Sequence, residues 1–162
     1  MDHRPGGRRS GFRSPDRLPA QALEGTQTLD PAYGFTARLD IGDGLRSCTG
    51  TLIDNQWILT AASCFADDPA TPRTSHRSAQ APTTAIIGRT DLSGSTGTSR
   101  RITKLIPRQD RDLVLAQLDS RVPGIQPLPL TATAPAAGQT WTAAGHGRTK
   151  DTWVPNLVHT AP

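Results

Sequence analysis

From Tyr33 onward the chain alternates. Phe35, Ala37, Leu39 and Ile41 are apolar, and Thr36, Arg38 and Asp40 between them are polar, which is the period-two signature of a half-buried strand. Gly42-Asp43-Gly44 reads as a tight turn, and Leu45 to Ile53 returns as a second strand. Asp54-Asn55-Gln56 is a turn, Trp57-Ile58-Leu59-Thr60 a short buried strand with Trp57 in the core, and Ala61 to Phe65 one turn of helix. Thr83 to Gly88 is a further strand and Gly94 to Gly97 a turn. Arg100 to Pro107 follows as a strand with Ile102, Lys104 and Ile106 on one face and Leu105 on the other. Asp112 to Leu118 and Thr140 to Gly147 complete the strand-like runs. Short strands at this spacing predict an all-β protein built on a closed antiparallel barrel.

The intervening stretches differ in kind. Residues 1–28 are rich in Arg, Pro and Gly without a sustained apolar period, so they read as a disordered leader. Residues 66–82 carry Pro, Asp, Ser and Arg and read as an exposed loop; a Pro/Ala/Thr stretch from Val122 to Gly138 leads out of the barrel. Nothing repeats internally.

Composition narrows the classes. The 162 residues suffice for one ordinary domain with a proper core. Aromatic residues are scarce, and Gly and Pro plentiful, which favours turns and short strands over long helices. No run approaches the roughly 20 apolar residues that span a bilayer. The first twenty residues hold no apolar core of a secretory signal. The formal charge of +4 is concentrated: Arg4, Arg8, Arg9, Arg13 and Arg17 stand against Asp2 and Asp16, a net of +3 within residues 1–20. The remainder is nearly neutral. Without an aromatic-interleaved basic face, a nucleic-acid partner is not expected. Two cysteines this far apart lack the paired spacing of a structural zinc site, so neither metal nor cofactor is expected.

The most specific stretch is Cys48-Thr-Gly-Thr-Leu-Ile-Asp-Asn-Gln-Trp-Ile-Leu-Thr-Ala-Ala-Ser-Cys64. It resembles the core of the trypsin-like (chymotrypsin-family) serine peptidases, most closely actinobacterial secreted forms with T-A-A-S-C. In the family the run ends T-A-A-H-C, and its histidine is the general base; here that position holds Ser63. Asp112-Leu113-Val114-Leu115-Ala116-Gln117-Leu118 looks like the family's D-[IL]-A-L-[LV]-x-L strand, which places Asp112 at the carboxylate that orients the base. Trp141-Thr142-Ala143-Ala144-Gly145-His146-Gly147-Arg148 is similar to the V-x-G-W-G strand that opens the second barrel, with His146 where an aromatic residue is usual.

The resemblance implies a six-stranded antiparallel first barrel with only the start of a second: a leader at 1–28, the barrel at 29–133, the opening of its partner at 134–162. It implies a Cys48–Cys64 disulfide, with free thiols as the alternative. Closing a loop of about 17 residues is worth roughly 3 kcal/mol, and such a bond persists in oxidising compartments. An extracellular location follows by the same resemblance.

Chemistry sets the expectation for activity. A serine attacks a peptide carbonyl only when a neighbour takes its proton and returns it to the leaving amine, and an aliphatic hydroxyl at 63 is far too weak a base. Loss of such a histidine costs roughly 10⁶-fold in kcat. Ser63 therefore reads as a small polar residue on a short helix, with a rewired catalytic role as the alternative. Asp112 reads as a partly buried carboxylate bonded to the Ser63 hydroxyl and nearby backbone N–H groups. The family places the His146 position well away from Ser63, His76 lies in the exposed loop, and His3 and His159 lie near the ends; none makes a convincing base. No Gly-Asp-Ser-Gly-Gly-Pro nucleophile loop occurs in the 162 residues, and Thr28 to Tyr33 replaces the I-V-G-G activation sequence. The chain thus reads as the amino-terminal portion of a peptidase homologue, truncated or misread at its ends, and inactive. A non-catalytic binding module, with residues 66–82 meeting a protein or peptide, is the second reading. A basic surface binder acting through residues 1–20, weakened by salt, is the third. Residues 141–158 are expected to be poorly anchored, or to pair with another chain at an open edge.

Overall fold

The computed structural model describes residues 25–66 and 81–162; the expected leader up to residue 24 and most of the 66–82 loop lie outside them. Nine strands follow in order: β1 (Thr26–Thr28), β2 (Thr36–Ile41), β3 (Arg46–Asp54), β4 (Trp57–Thr60), β5 (Thr83–Ile87), β6 (Thr98–Pro107), β7 (Val114–Leu118), β8 (Ala143–Gly145) and β9 (Val158–Ala161). Six of them close into an antiparallel barrel in the order β2-β3-β4-β7-β6-β5, and β1, β9 and β8 form a separate three-stranded sheet. Among the described residues no helix is long and apolar enough to cross a membrane.

Alternation decides which side chains enter the barrel. Ala37, Leu39 and Ile41 of β2, Ala85 and Ile87 of β5, and Val114, Ala116 and Leu118 of β7 are all buried and meet Leu52 and Ile58 in one apolar cluster. Each such side chain removed from water is worth about 1.5–3 kcal/mol. Backbones approach closely where β3 crosses β4: a Cβ added at Gly50 would sit 2.5 Å from Ile58 Cγ2. The turn from β2 to β3 holds Gly42, Asp43 and Gly44 at φ of 65°, 55° and 86°, a region open to glycine and, at a smaller cost than for most residues, to aspartate.

Four expectations need correction. Trp57, expected in the core, is half-buried and stands outside the apolar cluster. In β6 the pairing register slips between Ile102 and Lys104, so the strand does not keep Ile102, Lys104 and Ile106 on one face. Ile102 and Leu105 both point inward and Lys104 is exposed, because a bulge inserts one residue and restarts the alternation. The end of the stretch read as a leader forms β1, which pairs Thr26, Gln27 and Thr28 with Thr160, His159 and Val158. Residues 141–158 are tied down where they were expected to be loose. Leu92 N–H donates to the Asn156 carbonyl and Val158 N–H to the Thr90 carbonyl, both at 2.9 Å, while Trp141 and Trp153 remain exposed. The Val122 to Gly138 stretch starts out strapped to the barrel, with Val122 N–H on the Asn55 carbonyl and Leu128 N–H on that of Leu52.

Candidate functional site

The sequence places Ser63 by two constraints. β4 ends at Thr60, whose hydroxyl donates to the Thr49 carbonyl across to β3 at 2.9 Å. The chain then makes a single 3₁₀ turn, Ala62–Phe65, in place of a full helix. A Cys48–Cys64 disulfide pins that turn to β3, with Cα atoms 6.3 Å apart. Asp112 arrives from the other side. β4 pairs with β7 so that Thr60 faces Val114, and the residue two before Val114 comes level with the turn.

The two meet closely. The Ser63 N–H donates to Asp112 Oδ1 and the Ser63 hydroxyl to Oδ2, each at 2.7 Å. The bonds to the Ser63 hydroxyl and backbone hold the Asp112 carboxyl below its ordinary range; the Ala62 N–H adds a smaller pull, and slight desolvation opposes them. The expected contact is present, but its setting is corrected: Asp112 is exposed on the barrel surface, not partly buried. Nearby Asp110 is held down to about 2 by hydrogen bonds from Arg108 and then Arg111, so those arginines are occupied there.

Such a pair is poorly suited to general-base chemistry. Both donors of Ser63 serve one carboxylate, and a carboxylate stabilised as its anion is a weaker base than a free one. His146 lines the same groove as Ser63, a cleft of about 520 Å³. No hydrogen bond joins it to Ser63 or Asp112. The residue is 4% exposed, and neither ring nitrogen has an aligned partner. Burial first, then the Arg38 and His159 charges, push its pKa down to about 4, against a weaker opposing pull from the Pro155 carbonyl. At neutral pH the imidazole is uncharged, enclosed and a feeble proton acceptor.

His159, set aside in the sequence as terminal, is also buried with both ring nitrogens unpartnered. Its pairing with Gly145 in the β8–β9 ladder brings the two histidines together; the 13-residue spacing carries no signal of that. His3 and His76 lie outside the described residues. Among the described residues no cluster of three or more His, Cys, Asp or Glu side chains could hold a metal ion.

A closed six-stranded antiparallel barrel, with a cystine-pinned turn facing a carboxylate across β4 and β7, defines the class: a trypsin-like β-barrel. The family profile described as Trypsin matches residues 23–161, and the chain belongs to that family. It is similar to serine protease SP24D of Anopheles gambiae, 28% identical over 152 residues that cover 89% of this chain and 52% of that protein. The chain thus spans about half the length of this relative.

Proposed function

We propose that this trypsin-family chain does not hydrolyse peptides and serves as a non-catalytic, secreted binding protein on a peptidase scaffold. The observation that carries the reading is the Ser63–Asp112 pair, in which a hydroxyl fills the place an imidazole takes in active relatives and donates a hydrogen bond to the carboxylate. A longer product that carried a Gly-Asp-Ser-Gly-Gly-Pro loop would still lack the base at 63. Asp112 then acts as a structural acceptor, and Ser63 as its donor. Residues 29–133 form the first barrel and 134–162 open a second, with the end of the 1–28 leader lent to it as β1. The cystine and the family relation support an oxidising, extracellular setting, and the T-A-A-S-C run supports kinship with actinobacterial secreted forms.

The test is direct. Purified chain incubated with Arg- and Lys-ester substrates is expected to give no turnover above buffer, and a serine-directed phosphonate is expected to leave its mass unchanged. Stoichiometric labelling, or saturable turnover lost in Asp112→Asn, overturns the reading.

A further inference from the structure

We propose that residues 128–142 are a site of O-linked glycosylation, with Thr131 and Thr133 as the hydroxyls that carry sugar. The segment lies between β7, which ends at Leu118, and β8, which begins at Ala143. Every residue in it is exposed, and none belongs to a helix or strand. Its last tie to the barrel is the Leu128 N–H on the Leu52 carbonyl. Beyond that its hydrogen bonds are local, as from the Gln139 N–H to the Ala136 carbonyl and from the Thr133 N–H to Thr131 Oγ1. Composition points the same way. Thr131-Ala132-Thr133-Ala134-Pro135-Ala136-Ala137, behind Pro127 and Pro129, has the threonine and proline bias, with small neighbours, of O-glycosylated stalks.

An independent observation concerns charge. Between Arg121 and Arg148 the chain holds no Asp, Glu, Lys or Arg, yet Leu130 is 68% exposed and Trp141 55% exposed. An exposed apolar run without charges invites association, and a bare loop of small residues invites peptidases. Sugar on threonine answers both, being bulky and solubilising at a surface. The two hydroxyls suit the step. Thr133 Oγ1 makes no hydrogen bond among the described residues, and Thr131 Oγ1 reaches only the Thr133 backbone. Thr140 and Thr142, by contrast, flank Trp141. In the transfer the threonine oxygen attacks the anomeric carbon of a hexose carried on a polyprenyl phosphate. The new oxygen–carbon bond forms as the bond from that carbon to the phosphate oxygen breaks. The hydroxyl proton passes to a base on the transferase, polyprenyl phosphate leaves with the electron pair, and nothing is oxidised or reduced. Such a donor is anchored in the membrane across which a chain is exported, so the proposal rests on the secreted reading.

The test weighs the full chain intact, and maps it by peptide, after export behind a cleavable signal from a fungal secretory host that O-mannosylates. Its mass is expected to exceed the sequence mass by whole hexose steps, with the sugar on Thr131 and Thr133 and released by alkaline β-elimination. Thr131→Ala/Thr133→Ala is expected to lose these steps at unchanged melting temperature, while Thr131→Ser/Thr133→Ser and Thr140→Ala/Thr142→Ala keep them. The same double alanine variant is expected to be cut within residues 128–142 several-fold faster by a broad-specificity peptidase. An unmodified mass overturns the proposal, as does a phosphoryl increment or sugar confined to Thr71, Thr74, Ser75 and Ser78. Equal cutting of the glycosylated chain and the alanine variant overturns the shielding role. Export is scored separately: native product found only inside its own cells defeats the secreted reading and leaves the mass comparison standing.

Discussion

In the barrel every strand has a neighbour on both sides, because β2 pairs with β3 along one edge and with β5 along the other. In the three-stranded sheet only β9 is flanked twice; β1 and β8 each keep one edge without a strand among the described residues. Their interiors differ as well. The barrel encloses an apolar cluster led by Leu39, Leu52, Ile58, Ile87 and Leu118. The sheet buries Val158 and, beside it, two histidines whose ring nitrogens lack partners. One region is stabilised by closure and apolar burial, while the other is held by a few hydrogen bonds, such as His146 N–H on Thr49 Oγ1 at 3.0 Å. Unequal local stability follows, with the sheet expected to open before the barrel does.

The largest effect that sharpens this contrast is in the core. Leu39→Ala should cost about 3–4 kcal/mol and shift the whole urea transition, because its cavity lies where the strands converge. Val158→Ala should cost about half of that and speed hydrogen exchange at β1 and β9 while leaving β2 to β7 protected. A Val158→Ala loss as large and as global as that of Leu39→Ala breaks the distinction.

Acid is the next lever. His146 has an ordinary pKa of 6.5 and one near 4 in the fold, so between those values the unfolded chain binds a proton that the folded chain refuses. Stability is full above pH 6.5 and falls as pH drops towards 4, by roughly 3 kcal/mol. Burial is the main reason the site refuses a proton, with Arg38 on β2 and, least, His159 on β9 adding to it. Exchange at pH 4.5 should therefore rise first in β8 and β9, and His146→Leu should flatten that dependence. A slope unchanged in His146→Leu assigns it to other groups.

The smallest effect belongs to the exposed pair. Asp112→Asn removes a carboxylate from the barrel surface and should change unfolding free energy by no more than about 1 kcal/mol, since one exposed pair of hydrogen bonds is at stake. Its near silence in urea titrations beside a large Leu39→Ala shift would mark Asp112 as peripheral to the barrel's stability.

Much of the barrel was legible because burial on one face imposes alternation. Thr83, Ala85 and Ile87 are inside with Thr84 and Ile86 between them, as a period of two requires. The bulge in β6 was not legible, since one inserted residue leaves composition untouched and only moves Leu105 to the inner face. β1 escaped for another reason: Thr26 and Gln27 are exposed and Thr28 only half-buried, so the strand exists through backbone pairing with β9 and leaves no hydrophobic imprint. At the site, the meeting of Ser63 with Asp112 was legible only through the family resemblance, because 49 residues separate them. The histidine pair gave no sequence signal. It depends on how β8 and β9 come together in space.

The double pairing of β2 also orders the assembly. β3, β4 and the turn that follows are adjacent in sequence, and the two sulfurs that join them are separated by only 16 positions. This local unit can be oxidised early, while β5 is still unfolded. Sealing the cylinder closes longer loops, because residues 36–41 must find a strand that begins at Thr83 and residues 57–60 one that begins at Val114. The entropy of that search grows only with the logarithm of the intervening length. Lengthening the connection between Ala66 and Ala81 would therefore delay closure modestly and leave the finished cylinder almost as stable.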